Sequence, residues 1–197
     1  ISLLFFMAIA CKDEPASLSG DAPVDIKDFV AAFKKIEPPY RLADTNFTKM
    51  ADTTNISYTV FSQFIPDSVL TGIINKKAKK FTIHPLGKIE KENELYLLAN
   101  FTQNKKTTLF TFLLNKENKY LGSLKLLQQD NRDNYRHSVS ITSEPTFIIG
   151  REKTNFNNET SYTRNGYAYN SGSGNFARRT QNFLSKAYSS WTNEVRF

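Results

Sequence analysis

From Phe81 onward the sequence is a train of apolar segments parted by short polar breaks, and that rhythm limits the fold more than anything else in the chain. "FTIHPLGKIE" leads into "ELYLLANFT", and "QNKK" separates it from "TTLFTFLL". After "NKENK" comes "YLGSLKLL", and after the polar "QQDNRDN" come "YRHSVSIT" and "TFIIGRE". In "YRHSVSIT", Tyr135, His137, Val139 and Ile141 share one face while Arg136, Ser138, Ser140 and Thr142 share the other. That is period two, the signature of a half-buried strand. An Asn-rich loop over Asn155 to Ser161 precedes "GYAYNSGSGNFARRTQ", which reads as a hairpin around Ser171 to Gly174. Strands joined by short turns without intervening helices must run antiparallel.

Helical signals are fewer. In "DIKDFVAAFKKIEPP", Ile26, Phe29, Val30 and Phe33 fall on one stripe, Asp25 can cap the start, and Pro38-Pro39 ends the pattern. Ile56, Tyr58 and Val60 alternate as in a strand, and Pro66 then opens a second short helix through about Ile74, with Asp67 and Ser68 in its first turn. Phe183, Leu184, Ala187, Tyr188 and Trp191 have helical spacing near the end. The expected fold is therefore α+β: an antiparallel meander of about six to eight strands with one or two short helices packed on one face. Frequent aromatics (16 Phe and 9 Tyr) among Thr and Asn favour the same β-rich outcome.

The formal charge of +7 is uneven. Lys76 to Gly150 holds thirteen basic and seven acidic residues, whereas Cys11 to Asn75 holds six and nine. A basic chain invites a nucleic-acid reading, but "KKAKK" at Lys76 to Lys80 has no interleaved aromatics and reads as a solvated charge run. Anionic lipopolysaccharide or acidic glycans are the more plausible neighbours of an exported protein, and no nucleic-acid partner is expected.

Motifs for chemistry are sparse. The two histidines, His84 and His137, stand far apart without ligand spacing, so no metal or cofactor is expected. "DNRDN" at Asp130 to Asn134 lacks the alternating acids, glycine and distant glutamate of a calcium loop. "NSGSGN" is neither a nucleophile elbow nor a phosphate loop. No catalytic residue is assigned. The aromatics offer one sharper possibility: Tyr162, Tyr167, Tyr169 and Trp191 lie in an Asn/Ser-rich stretch and could form a sugar-binding platform.

The opening "ISLLFFMAIACKDEP" gives an address. Ile1 to Ala10 carry no charge, and ten residues fall short of the roughly 20 that a membrane-spanning helix needs, so they read as a signal segment with its basic n-region clipped. Ala8-Ile9-Ala10-Cys11 resembles a bacterial lipobox, which implies acylation of Cys11, the chain's one cysteine. Two or three acyl chains anchor stably where one does not. Lys12, Asp13 and Glu14 resemble the tag that exports Bacteroidota lipoproteins to the outer face of the outer membrane, with a periplasm-facing position as second choice. "PASLSGDAPV" follows as a flexible tether. The expected organisation is signal 1–10, lipidated cysteine and tether 11–24, and one domain over 25–197.

A wider likeness runs from Ile56 to Phe176. Phe64-Ile65-Pro66-Asp67-Ser68, then "IHPLGKIE", "ELYLLANF", "TTLFTFLLNKENKYLGSLKLL" and "GYAYNSGSGNF", resemble in order a Bacteroidota outer-membrane lipoprotein family of unknown function. The resemblance implies a location and a β-rich fold, and it carries no site residues. The function expected on these grounds is a non-enzymatic interaction or envelope-accessory role, with a protein partner or a glycan in the envelope. The alternative is a surface glycan-binding module of a nutrient-uptake system.

Overall fold

A computed structural model describes residues 17–50, 53–74, 80–129 and 135–179. Within them the chain forms α1 (Ile26–Ala31), β1 (Tyr40–Ala43), α2 (Phe47–Met50), α3 (Tyr58–Phe61) and α4 (Asp67–Ile73). Eight strands follow: β2 (Phe81–Lys91), β3 (Glu94–Gln103), β4 (Lys106–Asn115), β5 (Tyr120–Gln128), β6 (Arg136–Ile141), β7 (Phe147–Thr154), β8 (Thr160–Asn170) and β9 (Asn175–Arg179). The β-rich α+β architecture stands, and every neighbouring pair of strands within a sheet is antiparallel.

The meander divides into two sheets. β2-β3-β4-β5 form one, and β1-β6-β7-β8-β9 the other, with β1 added to the free side of β6. The four-stranded sheet is the middle layer. Leu97, Ala99, Phe101, Phe112 and Leu114 face a core shared with α1, α3 and α4. Tyr96, Leu98, Leu109 and Leu113 face the five-stranded sheet, meeting Leu42, Val139, Ile141 and Phe147. A sheet covered on both faces needs apolar residues at nearly every position. "ELYLLANF" and "TLFTFLL" supply them, whereas β6 keeps its strict alternation because only one of its faces is covered.

Turn chemistry fixes the register. Asn104 and Lys105 both take positive φ, which gives the primed two-residue turn whose twist matches the β3–β4 hairpin. Asn118 (φ 59°) and Gly174 (φ 64°) close the β4–β5 and β8–β9 turns. In the helix-side core Phe61 is the hub, with its ring edge-on to Phe29 at 5.4 Å, Phe101 at 5.5 Å and Phe112 at 5.2 Å. Such pairs add about 0.5–1.5 kcal/mol each beyond area burial.

Several expectations change. Asp25 caps α1 by accepting from the Lys27 N–H at 2.8 Å, but the helix stops at Ala31, well before Pro38. The reason is a better partner. Ile36 N–H donates to Lys88 O at 2.7 Å and Lys88 N–H to Lys34 O at 2.8 Å, so the chain leaves the helix to cover the edge of β2. Tyr58 and Val60 lie in α3 instead of a strand, because Ser57 caps the turn through Val60 N–H at 3.1 Å. Pro66 sits at the cap of α4, one residue before its first turn. The stretch expected as tether is packed in part: Leu18 lies against the helix-side core and Val24 is buried within it. No helix among the described residues is long and apolar enough to cross a membrane. Residues 1–16, with Cys11, Lys12, Asp13 and Glu14, lie outside the described residues, as do Asp130 to Asn134, Lys76 to Lys79 and the C-terminal helical pattern with Trp191.

Candidate functional site

α1, α3 and α4 pack on one face of the middle sheet. There a cleft of about 410 Å³ opens between the end of α4 and the sheet. Its floor is aromatic and aliphatic: Phe81, Phe101 and Phe110, with Ile73 and Ile74 along the helix side. The rings of Phe101 and Phe110 meet edge-on at 5.6 Å. They come together because Ala99 pairs with Phe110 and Phe101 with Thr108, which sets the two rings diagonally on one face of the β3–β4 pair.

The rim is polar and cationic. Lys106 and Gln103 stand at the β3–β4 turn, and Lys125 and Gln128 on β5, where Lys125 Nζ donates to Gln128 Oε1. Thr102 and Thr107 bridge their hydroxyls at 2.9 Å behind them. Among the described residues no aspartate or glutamate lines the cleft. Size and lining fall in the range of small-ligand sites, apolar with a few polar groups to orient the guest. Chemically the arrangement can hold an apolar body on the rings while a negative group meets the two ammonium heads.

The residues singled out from the sequence scatter. Tyr162, 60% exposed, lies on the outer face of the five-stranded sheet with the Arg164 guanidinium 5.6 Å from its ring centre. Tyr167 and Tyr169 fall on the opposite, inner face by the alternation of β8. Tyr169 packs edge-on to Phe176 at 5.8 Å in the core between the sheets. Tyr162 therefore shares no surface with Tyr167 and Tyr169, and the single platform does not form from them. Trp191 and Cys11 are outside the described residues.

His84 Nδ1 lies 2.8 Å from Thr54 O, while His137 is on the other sheet, its backbone paired with Asp44. Among the described residues no three His, Cys, Asp or Glu side chains gather as a metal site. Ser171 to Gly174 form the β8–β9 turn, where Asn170 Oδ1 accepts from Gly172 N–H at 2.9 Å. The cleft residues escaped sequence reasoning because Phe81, Phe101 and Phe110 look like core positions. The one local signal was Lys125, a charge inside the apolar run "YLGSLKLL". No family model matches the chain, and no curated protein or solved structure is significantly similar to it.

Proposed function

We propose that this protein is an envelope lipoprotein, held to the outer membrane through acylated Cys11 and facing outward, whose work is binding and not catalysis. The cleft is its contact site, and the guest it suits is an amphiphilic anion. One observation carries this reading: three phenylalanine rings lie below two lysines, and no carboxylate is among the described residues of the lining. The lipobox-like Ala8 to Cys11 and the acidic Lys12-Asp13-Glu14 stretch support the address.

The test is titration of the full chain with a fluorescent long-chain carboxylate, 11-(dansylamino)undecanoic acid. Saturable one-to-one binding is expected, weakened about tenfold or more by Lys125→Glu and by Phe110→Asp. Absence of saturable binding, or affinity unchanged in both variants while each stays folded, contradicts the reading. The alternative, a surface glycan-binding module, draws on a different face. Among the described aromatics of the expected platform, Tyr162 is the one mostly exposed, and Arg164 lies beside it.

A further inference from the structure

The outer face of the five-stranded sheet is the molecule's second polar surface, and its charge is one-sided. β1 sends Leu42 inward, so Arg41 points out; β6 sends Val139 and Ile141 inward, so Arg136 points out. By the same alternation Arg164 on β8 and Arg179 on β9 face out, and all four arginines are exposed. Register spreads them over three rows. Arg41 and Arg179 end one row that runs through Ser140, Ile148 and Gly166 across five strands, about 19 Å at the usual strand spacing. Arg164 sits in the next row, opposite Gly150, and Arg136, Glu152 and Tyr162 form the third.

Among the described residues the face carries four guanidinium groups and one carboxylate, Glu152. The centre of the face is mixed in height: Gly150 and Gly166 have no side chains and the serines are short, while Ile148 of β7 stands between Ser140 and Gly166. The described cations on the face are all arginines, whereas the cleft on the other layer uses lysine. A planar guanidinium fork meets a carboxylate or sulfate in two parallel hydrogen bonds, which an ammonium cannot do. Tyr162 adds an exposed ring beside Arg164, a flat apolar surface for a sugar.

We infer that this face binds an extended acidic polysaccharide, carboxylated or sulfated, with Arg41, Arg164 and Arg179 gripping its charges and Tyr162 stacking on a sugar ring. The choice of a glycan over other polyanions rests on the envelope address proposed above. The purified chain suffices for the test, so its failure leaves the anchoring untouched, and a failed anchor leaves the affinity data standing.

The experiment is calorimetric titration of the full chain with polygalacturonate oligosaccharides. Dextran oligosaccharides serve as the neutral control, and a single-stranded oligonucleotide of equal charge as the other polyanion. Polygalacturonate is expected to bind, weakening steeply with salt, while dextran does not. The paired change Arg164→Gln and Arg179→Gln is expected to cost about tenfold or more in affinity. Tyr162→Ala should cost about threefold toward the oligosaccharide and nothing toward the oligonucleotide. All three positions are exposed, and an unchanged melting temperature verifies the fold of each variant. No binding of polygalacturonate, equal binding of dextran, an oligonucleotide bound as tightly, or arginine variants with full affinity each overturn the inference.

Discussion

Ile36 lies directly over Gly87: a Cβ built on that glycine would come within 2.4 Å of Ile36 Cδ1, 2.6 Å of Cγ1 and 2.9 Å of Lys34 O. The contact is where the segment after α1 covers the edge of β2, beside the bulge between Pro85 and Gly87. An open strand edge invites pairing with other chains, and this one is closed by residues of its own. Gly87→Ala is expected to destabilise the fold by about 2 kcal/mol, within the usual range for overpacking. In an Ile36→Ala background the same change should cost less than half as much, since the two nearest of these atoms are gone. A double-mutant cycle in urea measures both, and an additive result would contradict the packing account.

Thr111 is fully buried on the inter-sheet face of β4, and its hydroxyl has no hydrogen-bond partner. Its cross-strand partners are Leu98 and Leu124, whose side chains offer none. A buried unpaired hydroxyl costs about 1–3 kcal/mol, and valine has almost the same shape without it. Thr111→Val should therefore raise stability by about 1 kcal/mol, seen as a higher urea midpoint at unchanged slope. A lower midpoint would show that the hydroxyl is paired in solution.

Three tyrosines set an alkaline limit. Burial raises the phenol pKa of Tyr40, Tyr96 and Tyr120, most strongly at Tyr96. There the hydroxyl also donates to Glu94 Oε2 at 2.6 Å, and the carboxylate opposes a phenolate. These groups are neutral when protonated and stay so longer in the folded state. Their stabilisation is thus complete below about pH 10, the unfolded value, and is lost as pH rises past it. Above that point Tyr96 alone should lower stability by up to about 1.4 kcal/mol per pH unit. Urea melts between pH 8 and 11 measure the slope. Tyr96→Phe should flatten it, and an equally steep fall in that variant would assign the effect elsewhere.

Much of the strand pattern was readable because it is local. The segments from Phe81 to Arg179 are cut by residues that take positive φ, Asn104, Lys105, Asn118 and Gly174, and those breaks show in the sequence. Division into two sheets is not local. Period two says which residues share a face but not which strand lies beyond it, so nothing near Tyr120 or Arg136 shows that the meander parts between them. The unbroken apolar runs of β3 and β4 were the available sign of a sheet covered on both sides. At α3 the alternation of Ile56, Tyr58 and Val60 imitated a strand, and a single serine cap decided otherwise. The sites were least readable. Phe81, Phe101, Phe110 and Lys125 meet only through register, and Arg41, Arg136, Arg164 and Arg179 come onto one face only once four strand pairings are set.

The account depends most on Cys11, and intact mass with peptide mapping of the native protein taken from membranes tests it directly. The expected result is a mature chain that begins at Cys11, with that residue heavier by a diacylglyceryl group and an N-terminal acyl chain. A Cys11 peptide with a free thiol, still joined to Ala10 and recovered from the soluble fraction, would contradict it.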